Sequence, residues 1–171
     1  VEPRKNLERL IAAYDQFRQG KTAPPYLVLA GGKGWLDSGI YKKVEELGLG
    51  DLVKFTEYVP DEEICPLMCG ALAFVFPSIY EGFGLPPLEA MACGVPVLTT
   101  HAASLPEVVG EDAVVADPYS PESIAAGLEQ LYTDEALRQK LREAGPKRAA
   151  QFTWERSAEQ LYAVYQEACR E

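Results

Sequence analysis

The chain has 171 residues, 47% hydrophobic and 25% charged, with a formal net charge of −10. That length suits one domain with a sizeable core. The acidity argues against a general nucleic-acid surface, which needs a basic face, and no apolar run reaches the ~18–20 residues that span a membrane.

In chain order, the opening VEPRKNLERL is charged and then amphipathic, unlike a secretory signal. Residues 6–19 set Leu7, Leu10, Ile11, Tyr14 and Phe17 at helical spacing, with Asn6 as the N-cap and Gly20 as the stop. YLVLAGG at 26–32 is a short apolar run closed by glycines and predicts a buried strand. A short helix is expected over 39–47 and a strand within 52–59. Residues 61–70 read as a helix weakened by Pro66. ALAFVFPS at 71–78 predicts a strand, 85–92 a helix, 95–100 a strand, 104–109 a short helix and 113–117 a strand. Three helices close the chain at 121–132, 134–151 and 154–170, with Thr133 or Asp134 and Thr153 as caps.

Strands alternate with helices and read as apolar on both faces. The expected class is α/β: a doubly wound, mostly parallel Rossmann-like sheet with helices on both faces. No repeat, low-complexity tract or linker divides residues 1–171, so one domain is expected. A doubly wound half opens with a strand, yet this chain opens with a helix. VEPRKN reads as the loop after such a strand, which suggests a piece of a longer protein.

Parallel α/β sheets bind ligands beyond the carboxyl ends of their strands. The loop 77–87 is the richest of those ends. Gly82 and Gly84 allow close backbone approach. Pro86 and Pro87 suit the first turn of a helix, whose N–H groups and dipole favour phosphate. Glu81 precedes that turn and Glu89 follows within its first or second turn. A carboxylate can accept hydrogen bonds from both hydroxyls of a diol. The pattern fits a ligand with a diphosphate core and a sugar on each side; the alternative is plain charge balance at a helix start. Arg4 and Lys5 supply cations at another strand-to-helix turn, unless they are solvated surface. In GGKGWLD at 31–37, Gly32 and Lys33 offer a weaker phosphate contact, since the loop matches neither G-x-G-x-x-G nor a Walker A motif.

Other chemistries have no motif here: no D-x-D for a metal on a diphosphate, no H-E-x-x-H and no G-x-S-x-G. His101, the single histidine, reads as a neutral structural residue. Cys65 and Cys69 stand one helical turn apart, and with Cys93 and Cys169 they match no paired C-x2-C pattern. Buried free thiols in a reducing cytoplasm are expected, with a disulfide or a metal as the alternatives. The five basic residues within 138–148 read as the solvated face of a helix, the other reading being an anionic membrane contact.

The stretch PSIYEGFGLPPLEAMACGVPVLTT resembles the E-x7-E signature of retaining GT-B-fold glycosyltransferases of family 4, the glycosyl transferases group 1 domain. PRKNLERLI, YLVLAGG, VKFTEYVPDEE, HAASLPEVVGEDAVVADPYSPESIA and FTWERSAEQLYAVY follow in that family's order, so the resemblance covers about residues 2–168. It implies the C-terminal, donor-binding half of a two-domain enzyme of polysaccharide biosynthesis. The donor would be a UDP-, GDP- or ADP-sugar, with no further cofactor and no metal. An N-terminal domain would hold a saccharide or lipid-linked acceptor, and the enzyme would work in the cytoplasm or at the inner membrane face. By the same resemblance, Glu81 would contact donor-sugar hydroxyls. Phe83, Gly84 and Leu85 would offer backbone N–H groups, Glu89 would hold the ribose, Arg4 and Lys5 would neutralise the diphosphate, and Tyr58 and Val59 would lie beside the base. Many members carry a Gly-Arg pair just after the first strand; that position would fall at or before Val1. A non-catalytic nucleotide or sugar-phosphate binding module would share every one of these binding residues.

Overall fold

The computed structural model describes residues 2–31 and 37–170. A single 3-10 turn, Pro3–Lys5, leads into α1 (Leu7–Arg18). There follow β1 (Leu27–Ala30), α2 (Asp37–Glu46), β2 (Val53–Glu57), α3 (Asp61–Cys69), β3 (Phe74–Val75), α4 (Leu85–Ala92) and β4 (Val97–Thr100). The remainder is α5 (Leu105–Val109), β5 (Val114–Ala116), α6 (Pro121–Thr133), α7 (Glu135–Ala149) and α8 (Trp154–Ala168). The expected alternation of strand and helix is observed, with every pairing parallel.

The apolar stripe of α1 does what its spacing requires. Leu10, Ile11, Ala13, Tyr14 and Phe17 are all buried, packed with Leu27, Val53, Leu98, Ile124 and Leu131 in one core. Phe17 meets Tyr132 of α6 edge-on at 5.5 Å between ring centroids. Tyr14 keeps its hydroxyl satisfied at the rim by donating to the carbonyl of Pro25 at 2.6 Å.

The strands form two groups. β1 pairs with β2, Leu27 opposite Val53, and β3, β4 and β5 make a second ladder in that order. Residues of both groups share the α1 core. Only β4 is buried at every position; β1 alternates, with Val28 43% exposed. The expectation of strands covered on both faces therefore holds at the centre of the second ladder and not in β1. The strand expected over 71–78 shortens to two residues in β3, because β4 is the one neighbour supplying ladder partners among the described residues and Pro77 has no N–H.

Helices α4 and α7 pack closely: a Cβ on Gly145 would lie 3.0 Å from the carbonyl oxygen of Met91. The basic run of α7 is only partly the solvated face expected. Arg138 is buried and donates to the carbonyls of Leu131 and Tyr132 at 2.6 and 2.7 Å, closing the end of α6, while pairing with Glu135. Arg148 donates to the carbonyls of Val108 and Glu107. α8 is amphipathic yet buries none of its residues. No helix among the described residues is long and apolar enough to cross a membrane.

The four cysteines are free, as expected, but not buried: Cys65, Cys69 and Cys169 are exposed and Cys93 half-buried. Three of them converge. The Sγ of Cys65 lies 3.8 Å from that of Cys69 and 3.1 Å from that of Cys93. Sequence spacing hides this, because the third member comes from the end of α4, against which α3 packs.

Candidate functional site

The site is assembled at the start of the chain and at the loop between β3 and α4. Asn6 adopts a left-handed conformation (φ 61°), which asparagine tolerates better than most residues. It occupies the helix boundary expected of it but makes no side-chain cap. Its amide nitrogen instead donates to the carbonyls of Pro77 (3.0 Å) and Pro118 (2.6 Å), and its oxygen accepts from Arg9 (2.8 Å). Both donors of the amide are thereby used, and the first turn is tied to two further strand-end loops. The amide of Ile79 donates to the carbonyl of Arg4 at 2.8 Å. These bonds hold Arg4 and Lys5 beside the loop 77–87.

That loop is fixed from below by buried hydroxyls. Thr99 donates to the carbonyl of Phe76 at 3.1 Å and Thr100 to that of Ser78 at 2.7 Å. The Ser104 hydroxyl lies within 3.0 Å of the Glu81 carbonyl and 2.9 Å of the Phe83 carbonyl, so it holds the glycine turn from the far side.

Glu81 is 9% exposed. Its carboxylate accepts from Lys5 Nζ at 2.7 Å and Ser78 Oγ at 2.9 Å, and it pairs with Arg4 Nη1 at 2.6 Å. Burial pushes this carboxyl up, but the hydrogen bonds from Lys5 and Ser78 and the charges of Lys5 and Arg4 outweigh it. The group is held below the usual carboxylate range. Lys5 also sits over the Phe76 ring, 4.5 Å from its centroid. Arg4 pairs in addition with Glu2, whose hydrogen bond is the main cause that raises the arginine's affinity for its proton.

Gly84 (φ 103°) is the N-cap residue of α4. A Cβ there would lie 2.7 Å from Cδ2 of the buried Leu105, so glycine is required twice, for conformation and for space. Pro86 and Pro87 fall in the first turn as expected. They carry no N–H, so Leu85 is the one donor among residues 85–87. An anion at this helix start would therefore be met by Leu85 and by the glycine turn before it. Glu89 is exposed in the second turn, and the first turn of α4 carries no acidic residue. Charge balance at the helix start thus does not explain Glu89.

Arg4, Lys5 and Glu81 are in direct contact, and Gly82, Phe83, Gly84 and Leu85 continue from Glu81. Phe83 meets Phe152 edge-on at 5.8 Å. Tyr58 and Val59 lie just beyond the end of β2, Tyr58 exposed and Val59 half-buried. There the backbone of Gly31 donates to the carbonyl of Glu57 at 2.9 Å, joining the ends of β1 and β2. Gly32 and Lys33 lie outside the described residues. His101 is exposed. Sequence reading missed Asn6 as a loop tie, and Ser78 and Ser104 as supports of Glu81 and its turn. Serine three residues before a buried carboxylate was the available signal; the Ser104 contact spans 23 residues and had none.

The fold is that of GT-B glycosyltransferase domains. A family model described as Glycosyl transferases group 1 matches residues 1–148, and the chain belongs to that family. It is 42% identical over 166 residues to the O-antigen chain mannosyltransferase B of Escherichia coli, covering 96% of this chain and 43% of the relative. Among solved structures it is similar to sucrose-phosphate synthase from Thermosynechococcus elongatus, with TM-score 0.81, 30% identity, and 99% and 43% of the two chains covered. It is also similar to the C-terminal domain of the glycosyl transferase group 1 family protein LpcC from Francisella tularensis, with TM-score 0.77, 28% identity, and 88% and 80% covered. The chain thus spans less than half the length of the mannosyltransferase relative.

Proposed function

We propose that this chain is the donor-binding half of a two-domain, retaining, metal-independent hexosyltransferase that uses a nucleoside diphosphate sugar. The observation that carries the reading is the convergence of Arg4, Lys5 and Glu81 beside the glycine turn at the start of α4. Mannosyltransferase relatives make mannose the first sugar to test. Three exposed free thiols support work in a reducing cytoplasm.

The chemistry follows from charge. Breaking the bond from the anomeric carbon to the diphosphate develops negative charge on the leaving oxygen. Arg4, Lys5 and the Leu85 amide are the groups that would stabilise it electrostatically. In the present arrangement both cations are bound to Glu81. The incoming diphosphate would compete with that carboxylate for them, leaving Glu81 to accept from sugar hydroxyls. Glu89 would hold the ribose, and Tyr58 and Val59 the base. The acceptor, a saccharide or lipid-linked molecule, would be held by the N-terminal domain.

Calorimetry against UDP, GDP and ADP tests the reading. At least one is expected to bind, and Lys5→Ala to weaken it by about tenfold or more. In the full-length enzyme, Glu81→Ala should cut transfer about 100-fold or more, while nucleoside diphosphate affinity holds or rises because Arg4 and Lys5 are released. Failure of all three nucleotides to bind the folded full-length protein overturns the donor site. Equal loss of binding and transfer in Glu81→Ala overturns its sugar role. Binding without transfer in the full-length protein would leave a non-catalytic module.

A further inference from the structure

Away from the donor site, Cys65 and Cys69 lie one turn apart on α3, and Cys93 is the C-cap residue of α4. The α4 helix separates this cluster from the glycine turn at its other end, about 12 Å along the axis at 1.5 Å per residue. The three Sγ atoms all lie within 4.8 Å of one another. Two of the separations are 3.8 and 3.1 Å. Zinc–thiolate bonds of about 2.3 Å in tetrahedral geometry require sulfur–sulfur separations of about 3.8 Å. One edge meets that value, and the Cys65–Cys93 edge would open by roughly 0.7 Å.

We propose that Cys65, Cys69 and Cys93 form a binding site for a soft d10 cation of the zinc class, with water as the fourth ligand. Two of the thiols are exposed, so solvent reaches the open position. Thiolate donors select such cations over magnesium or calcium. The third donor stands at the carboxyl end of α4, where the helix dipole favours positive charge. The anchoring of α3 gives the site a structural purpose. α3 buries none of its residues and holds Pro66 in its interior. A cation shared with Cys93 would staple it to α4. Each coordinating thiol gives up its proton on binding, so as many as three protons are released per cation.

The test is titration of Cd(II), then Zn(II), into the reduced, metal-free chain. Sulfur-to-cadmium charge-transfer absorption and released protons are the readouts. One equivalent is expected, with Zn(II) displacing Cd(II). Cys65→Ser and Cys69→Ser, both at exposed positions, should each remove about a third of the absorption and lower affinity by about tenfold or more. Cys169→Ser should change neither. No charge-transfer band, or equal effects of Cys65→Ser and Cys169→Ser in variants with unchanged circular dichroism, overturns the proposal. So does a Cys65–Cys93 disulfide that cannot be reduced without unfolding.

Discussion

Glu81 receives three side chains at once, from Lys5, Arg4 and Ser78, while itself buried. Its folded-state proton affinity is depressed, so the stability it contributes is present above the unfolded carboxylate value of about 4.3 and is lost as pH falls through the folded value. Glu81→Gln should therefore destabilise the chain near neutral pH by roughly 1–3 kcal/mol, the range for a buried charged hydrogen bond. The difference should shrink toward zero in acid. Thermal unfolding of both forms from pH 7 to pH 3 measures this, and a difference that grows in acid would reverse the assigned sign. Glu81 and both cations stood out in the sequence as candidates, because charged residues beside glycine and proline turns signal themselves. That Glu81 grips the cations in the free protein was not readable, since the contact joins residues 76 positions apart.

Helix α4 links the site to the core. Its apolar residues Leu88, Ala90 and Met91 are buried against Val97, Val108 and Val109, so its start cannot shift without cost. Gly84 sets the angle of entry. Gly84→Ala should cost about 2 kcal/mol or more, combining an unfavourable positive φ with a 2.7 Å contact on Cδ2 of the fully buried Leu105. Nucleoside diphosphate affinity should fall with it. Denaturant unfolding and calorimetry on one preparation measure both, and full stability with unchanged affinity would show that the turn is free to relax. The extents of α1, α4 and α6 followed from periodicity, caps and prolines. The brevity of β3 did not, because strand length is decided by which neighbours supply hydrogen bonds.

At the scale of the whole molecule, α1 and α6 hold both strand groups to one core, while α8 contributes nothing buried and leaves Trp154, Tyr162 and Tyr165 exposed. Removing residues 154–171 should change the unfolding midpoint by no more than about 2 °C, as for surface changes. A several-fold larger fall in scanning calorimetry would mean that α8 packs on the rest. The amino-acid sequence by itself determined the α/β class and the family and singled out Arg4, Lys5 and Glu81, which the structure brings into contact, because hydrophobic period, turn chemistry and a glutamate pair around a glycine turn are local signals. Only the tertiary structure decided that Asn6 ties three loops together, that Arg138 and Arg148 close helix ends instead of facing solvent, and that three cysteines meet. Each of those depends on polar groups that the packing of helices and loops brings together, so that a carbonyl or a thiol takes whichever partner the fold delivers.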